Sequence, residues 1–165
     1  MRSSTGHVGI RNLGCTCYMN SLMQQLYCMP ALRRGLLAAP HLDKESLSTQ
    51  GKADNLLYQL QRMFCHLSDS AREAYEPAGW CYAYKDEQGR PTNSGVQQDA
   101  QEYFNVLCDR IEAKLKGGPM ELLLQQSFAG KMSQQLLGLG GELIPPAFSL
   151  AVAHTPCSLI GWQAR

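Results

Sequence analysis

The chain lacks an excess of either charge. Its 165 residues hold 15 basic and 14 acidic side chains, a formal net charge of +1. That leaves no basic stripe able to compete for a phosphate backbone, so nucleic acid is not an expected partner. An even cysteine set is missing too. The seven cysteines (Cys15, Cys17, Cys28, Cys65, Cys81, Cys108 and Cys157) are an odd number, whereas a secreted disulfide framework is more often even. Residues 1–9 carry one arginine and no apolar h-region, so a signal peptide is not expected. The longest apolar stretch, residues 143–153, contains Pro145 and Pro146 and is shorter than the ~20 residues a spanning helix needs. A single C-x-C at Cys15 and Cys17, without a second pair, is poor zinc spacing. No metal, cofactor or membrane partner is expected. A reduced, intracellular protein of the cytoplasm or nucleus is.

What is present suits one domain with a packed core, at 44% apolar and 18% charged residues. Residues 8–29 are the most informative. A turn at Leu13-Gly14 leads into Cys17. Tyr18, Leu22 and Leu26 then recur every four residues with Met19 and Met23 beside them. This spacing predicts an amphipathic helix beginning at or near Cys17 and ending at Pro30. Residues 38–52 read as a polar loop. A second helix is expected from Asp54, a good N-cap, through Leu56, Leu57, Leu60, Met63, Phe64 and Leu67. Residues 85–95 read as a loop. A third helix is expected over residues 98–116, with Ala100, Tyr103, Phe104, Leu107, Cys108, Ile111 and Leu115 on one face and Gly117-Gly118-Pro119 as its stop. A shorter helix is expected over 120–126. There is no internal repeat and no clear run of strands.

A cysteine at a helix N-terminus is a recurring arrangement for nucleophilic catalysis. Unpaired amides and the helix dipole favour thiolate over thiol, and the same amides can hold an oxyanion. Asn12, shortly before Cys17, offers a further donor. The competing reading is a structural cysteine at a helix end. Cys28, Cys65, Cys81 and Cys108 lie among apolar residues and read most simply as small core hydrophobes. Gln97, Gln98 and Asp99 read equally as a solvated helix start, with Asp99 near the positive dipole end.

Two segments resemble a known family. Gly9-Ile10-Arg11-Asn12-Leu13-Gly14-Cys15-Thr16-Cys17-Tyr18-Met19-Asn20-Ser21-Leu22-Met23-Gln24-Gln25-Leu26 resembles the cysteine box of the ubiquitin-specific proteases, G-L-x-N-L-G-N-T-C-Y-M-N-S-x-L-Q. Cys15 stands where that box usually has Asn. Gln97-Gln98-Asp99-Ala100-Gln101-Glu102-Tyr103-Phe104, about eighty residues on, is similar to the family's Q-Q-D-A-x-E-F box. The stretch Gln24-Gln25-Leu26-Tyr27 looks like the large members of the family.

The resemblance implies an α+β papain-like cysteine protease fold. This predominantly α chain would be mainly its helical thumb. It implies hydrolysis of the bond after the C-terminal glycine of ubiquitin, with ubiquitin and ubiquitinated proteins as partners. Carried over, Cys17 is the nucleophile and Asn12 the oxyanion-hole side chain. Asp99 would bind the backbone of ubiquitin's extended tail, with Gln98 and Glu102 nearby in the cleft. The family's base is a histidine in a later G-H-Y box, oriented by a further Asp or Asn. None of His7, His41, His66 and His154 has that context, and the family's paired C-x-x-C ribbon is absent. Ser127-Phe128-Ala129-Gly130 still looks like the strand entering the fingers. After residue 131 the pattern vanishes, as a truncation, a retained intron or a frame shift would produce. Residues 1–131 are therefore read as the thumb part, and 132–165 as a divergent, poorly ordered tail. Without the histidine, the alternative is a non-catalytic ubiquitin-binding remnant.

Overall fold

Capping side chains decide where the helices of this chain begin. The computed structural model describes residues 6–41, 48–86 and 88–128, with the backbone of 136–137 and 143–144. A short strand β1 (Gly9–Ile10) precedes helix α1 (Cys17–Tyr27). Helix α2 (Pro30–Ala38) follows almost at once. Pro30 does not only end α1: it occupies the first turn of α2, where its missing N–H costs nothing. Within the expected loop, α3 (Thr49–Asp54) begins at a Ser48 cap whose Oγ accepts from the Gly51 N–H at 2.9 Å.

Helix α4 (Leu56–Asp69) starts later than expected. Asn55, not Asp54, is its cap, with Oδ1 accepting from the Tyr58 N–H at 3.0 Å. Asp54 instead closes α3 and pairs with Lys85 Nζ at 2.6 Å. Strand β2 (Ala74–Tyr75) then runs parallel to β1, with the Gly9 N–H donating to the Glu73 carbonyl at 2.8 Å and the Arg11 N–H to that of Tyr75 at 2.9 Å. Helix α5 (Ala78–Ala83) precedes the loop that was expected. Helix α6 (Ala100–Leu115) is shorter than expected at both ends, because Asp99 is its cap rather than part of it.

Helix α7 (Leu123–Phe128) corrects a further expectation. Ser127 and Phe128 are helical, not strand: the Ser127 hydroxyl donates to the Leu123 carbonyl, one turn back, at 2.8 Å. Strands β3 (Leu136–Leu137) and β4 (Leu143–Ile144) pair antiparallel. Apart from them, the tail over 132–165, His154 and Cys157 lie outside the described residues.

The core forms where α1, α4 and α6 turn their apolar stripes inward. On α4, Leu56, Leu57, Leu60, Met63, Phe64 and Leu67 are all buried, as their spacing predicts. On α1 the buried stripe is Tyr18, Met19, Met23 and Leu26, with Leu22 only half-buried. From α6 come Tyr103, Leu107, Cys108, Ile111 and Leu115. Each such large side chain contributes about 1.5–3 kcal/mol by leaving water. Two of the four cysteines expected in the core are there, Cys81 and Cys108; Cys28 and Cys65 are exposed. They fall at the end of α1 and on the outward face of α4, where apolar neighbours in sequence do not keep a side chain from solvent.

Trp80 is completely buried between these helices. Its Nε1–H donates to the Tyr103 hydroxyl at 2.9 Å, which satisfies the one polar atom it carries into the core. No helix among the described residues is long and apolar enough to cross a membrane.

Candidate active site

The loop before Cys17 is tied down at several points. Two polar side chains on α1, one turn apart, hold the strand that enters it. Asn20 Nδ2 donates to the carbonyls of Ile10 and Arg11 at 3.4 and 3.3 Å, and Gln24 Nε2 to that of Val8 at 3.0 Å. Gly14 then turns the chain with φ of +126°, a conformation open to glycine and strained for other residues. That turn aims the Cys15 N–H at the Ser94 carbonyl, 2.7 Å away. A Cβ on Gly14 would sit 2.8 Å from the same oxygen.

Inside the loop, Asn12 and Thr16 form a closed unit. Asn12 Oδ1 accepts from the Thr16 N–H at 3.1 Å and from the Thr16 hydroxyl at 2.8 Å. The same hydroxyl accepts from the Leu13 N–H at 3.1 Å. Thr16 is wholly buried, while Asn12 is exposed. With Oδ1 engaged on two donors, the amide of Asn12 presents Nδ2 as its remaining edge.

Cys17 is the first residue of α1, and its side chain is exposed. No side chain caps this N-terminus. The early amides of a helix have no partner within it, so here they remain available to a charge forming beside the sulfur. Burial, followed by the sulfurs of Cys81 and Cys17, pushes the pKa of the neighbouring Tyr18 phenol up. Tyr18 is therefore neutral beside the candidate nucleophile at ordinary pH.

The second box sits at the start of α6. Asp99 Oδ1 accepts from the N–H groups of Gln101 and Glu102 at 2.8 and 2.9 Å. The cap uses Oδ1 alone. Gln98, Asp99 and Glu102 are all exposed, within the turn that leads to the buried Tyr103. Two links bring this box to the first: the Cys15–Ser94 backbone bond, and the rings of Tyr18 and Tyr103, which meet edge-on at 5.2 Å. Helices α1 and α6 thus pack with Cys17 and Asp99 at their N-terminal ends.

Two of the described histidines meet tyrosine rings. His41 packs against Tyr58, and His66 meets Tyr75 edge-on. Sequence reasoning did not single out Thr16, Asn20, Gln24 or Ser94. Asn20 and Gln24 did carry a signal, as polar residues four apart on a helix whose neighbouring positions are apolar. Thr16 matched the box but had no reading of its own, since it acts through a buried hydroxyl, and Ser94 had no signal, since it acts through its backbone.

The family model described as ubiquitin carboxyl-terminal hydrolase matches residues 8–139. Among curated relatives, the chain is 35% identical over 138 residues to ubiquitin carboxyl-terminal hydrolase puf of Drosophila melanogaster, covering 84% of this chain and 3% of the relative. It is 36% identical over 134 residues to human ubiquitin carboxyl-terminal hydrolase 24, covering 81% and 5%. To human ubiquitin carboxyl-terminal hydrolase 34 it is 37% identical over 142 residues, covering 86% and 4%. The chain thus spans only a few per cent of the length of these relatives. Both boxes fall within the matched residues, and by that match the chain belongs to the ubiquitin carboxyl-terminal hydrolase family, as an N-terminal region of a ubiquitin-specific protease catalytic domain.

Proposed function

We propose that this region supplies the nucleophile and part of the ubiquitin-tail cleft of a cysteine-type deubiquitinase. Residues 1–131 are the helical thumb of a papain-like fold and 132–165 a divergent tail, although the family match runs past that boundary to residue 139. The observation that carries the reading is the exposed Cys17 at an uncapped helix start, with Asn12 fixed beside it.

The Cys17 thiolate attacks the carbonyl carbon of ubiquitin's last glycine. The carbonyl electron pair moves to oxygen, and the oxyanion takes hydrogen bonds from Asn12 Nδ2 and the amides at the start of α1. Collapse breaks the C–N bond, the amine leaving with the proton that the Cys17 thiol gave up, carried by an imidazole of the kind the family supplies from its later box; water then breaks the resulting thioester, freeing ubiquitin's carboxylate and restoring the thiol. Asp99 accepts from amides of the extended tail, flanked by Gln98 and Glu102. A carboxylate suits that task, because an extended strand presents N–H donors along its edge.

The contacts of His41 and His66 favour a second reading, a ubiquitin-binding remnant. His41 and His66 pack on Tyr58 and Tyr75, and a thiol protease needs an imidazole on its sulfur. Release of a fluorescent amine from the C-terminus of ubiquitin separates the two readings. Hydrolysis that Cys17→Ser abolishes supports the enzyme. Saturable ubiquitin binding without hydrolysis supports the remnant. Neither hydrolysis nor binding, from a cooperatively folded chain, removes both.

A further inference from the structure

We infer that Thr16 is the positioning residue for Asn12: its buried hydroxyl and its backbone N–H together hold Oδ1 of the Asn12 amide, leaving Nδ2 as the edge that can donate to an oxyanion. The inference rests on the reading of Asn12 as an oxyanion donor and names what holds that donor in place.

The orientation follows from which atoms can only donate. A backbone N–H never accepts, so the Asn12 atom 3.1 Å from the Thr16 N–H is its carbonyl oxygen. The Leu13 N–H likewise only donates, and at 3.1 Å it occupies a lone pair of the Thr16 hydroxyl. The hydroxyl proton is then directed to Asn12 Oδ1 at 2.8 Å. The amide of Asn12 has no second arrangement that satisfies this set. An amide without such partners is free to turn about its last side-chain torsion, which is broad and roughly two-fold, and in the turned orientation it would present oxygen, not nitrogen, to a developing negative charge.

Burial separates the two roles. Thr16 is completely buried and Asn12 exposed, so Thr16 is out of a substrate's reach and acts only through Asn12. Its β-branched side chain is stiff at χ1, which holds the hydroxyl between Leu13 and Asn12 without a further partner. Deleting the hydroxyl removes one of the two donors on Oδ1 and leaves the Leu13 N–H without its acceptor.

The test uses the full chain and two variants, Thr16→Val, which keeps the shape and loses the hydroxyl, and Thr16→Ser, which keeps the hydroxyl. In the unaltered chain, a trans-hydrogen-bond coupling between the Thr16 amide nitrogen and the Asn12 side-chain carbonyl carbon is expected; its absence overturns the inference whether or not a variant folds. The Asn12 Nδ2 order parameter should fall in Thr16→Val and return in Thr16→Ser.

Two forms of ubiquitin supply the functional arm. Ubiquitin ending in an aldehyde forms an S–C bond with Cys17, and the carbonyl oxygen becomes the hemithioacetal oxygen, taking up the thiol proton. Ubiquitin ending in a bromoethyl amide alkylates the same sulfur with loss of bromide and creates no oxyanion. Thr16→Val should weaken the aldehyde adduct about two- to tenfold, the worth of one hydrogen bond, and leave the alkylation rate as it was. Thr16→Ser should restore the adduct. If Asn12→Ala weakens the aldehyde adduct and Thr16→Val does not, the positioning role fails while the oxyanion role of Asn12 stands. If Asn12→Ala has no effect, or no adduct forms, the proposed function fails and the coupling and order-parameter measurements still decide what holds Asn12.

Discussion

Tyr18 and Tyr103 meet edge-on at 5.2 Å, one residue beyond Cys17 and one beyond Glu102. Through this contact the two boxes, far apart in sequence, share a single aromatic cluster. Tyr103 also stacks on Tyr84 at 4.6 Å and accepts a hydrogen bond from Trp80 at 2.9 Å. The geometry of the candidate site therefore depends on a core bond distant from the surface.

That bond can be measured with a double-mutant cycle. Trp80→Phe removes the donor and a large part of the buried ring system, and Tyr103→Phe removes only the acceptor hydroxyl. Leaving the Trp80 Nε1–H buried and unsatisfied costs about 1–3 kcal/mol. Denaturant melts of Tyr103→Phe should show that loss. The pair should couple, with the double variant less destabilised than the sum of the singles. Strict additivity would mean that the bond contributes nothing.

Gly14 is the position where backbone conformation matters most. Its φ of +126° and the 2.8 Å approach of a Cβ to the Ser94 carbonyl make Gly14→Ala strained twice over. Such a residue costs about 1–3 kcal/mol. A melt should shift by that amount, and amide exchange at Cys15 should quicken as its bond to Ser94 loosens. Gly89→Ala is the control: φ there is +76°, but nothing crowds the added Cβ, so exchange at Cys15 should stay as it was.

Burial pushes the Tyr84 phenol pKa up to about 12, against a smaller opposing effect of the Arg110 guanidinium lying over its ring. The folded state therefore keeps a proton that the unfolded chain gives up near pH 10. By linkage, this contribution to stability is complete below about pH 10 and is lost as pH rises towards 12. Urea melts between pH 8 and 12 should show the decline, and Tyr84→Phe should make it shallower. An identical slope in the variant would contradict the assignment. Tyr18, Tyr75, Cys81 and Tyr103, also raised by burial, contribute to the decline that remains.

Asp99 has two roles that substitution can separate. Asparagine caps a helix as well as aspartate does, whereas alanine costs about 0.5–2 kcal/mol. Asp99→Asn should melt close to the unaltered chain and Asp99→Ala below it. Ubiquitin affinity should fall in both, because the amide lacks the charge that strengthens hydrogen bonds to the tail. Normal affinity in Asp99→Asn would limit Asp99 to capping.

Apolar periodicity made much of this fold legible. The buried faces of α4 and α6 follow the spacing of Leu56 to Leu67 and of Tyr103 to Leu115. Helix ends were less clear, because capping depends on single residues: Asp54 and Asn55 are both good caps, and the bonds of Asp54 to Lys85 and Gln50 show that it is used otherwise. Pro30 reads as a stop and is also a start. Helix α5 is six residues long, too short for a period to show. Exposed Cys28 and Cys65 escape a reading based on sequence neighbours, since the face of the helix decides. At the candidate site, the cysteine and its helix start follow from the pattern. The Thr16–Asn12 unit does not, because hydrogen bonds between buried and exposed side chains leave no periodic trace.

The most direct measurement is covalent labelling of the folded, full chain by ubiquitin bearing a C-terminal electrophile, with the site read by peptide mass spectrometry. Cys28 and Cys65 are exposed as Cys17 is, and so serve as internal controls for random thiol reactivity. A single adduct on Cys17, slowed by Asp99→Ala, is the expected result. No adduct on a folded chain, or label spread over Cys28 and Cys65 as readily as Cys17, would contradict the role of Cys17 as the nucleophile.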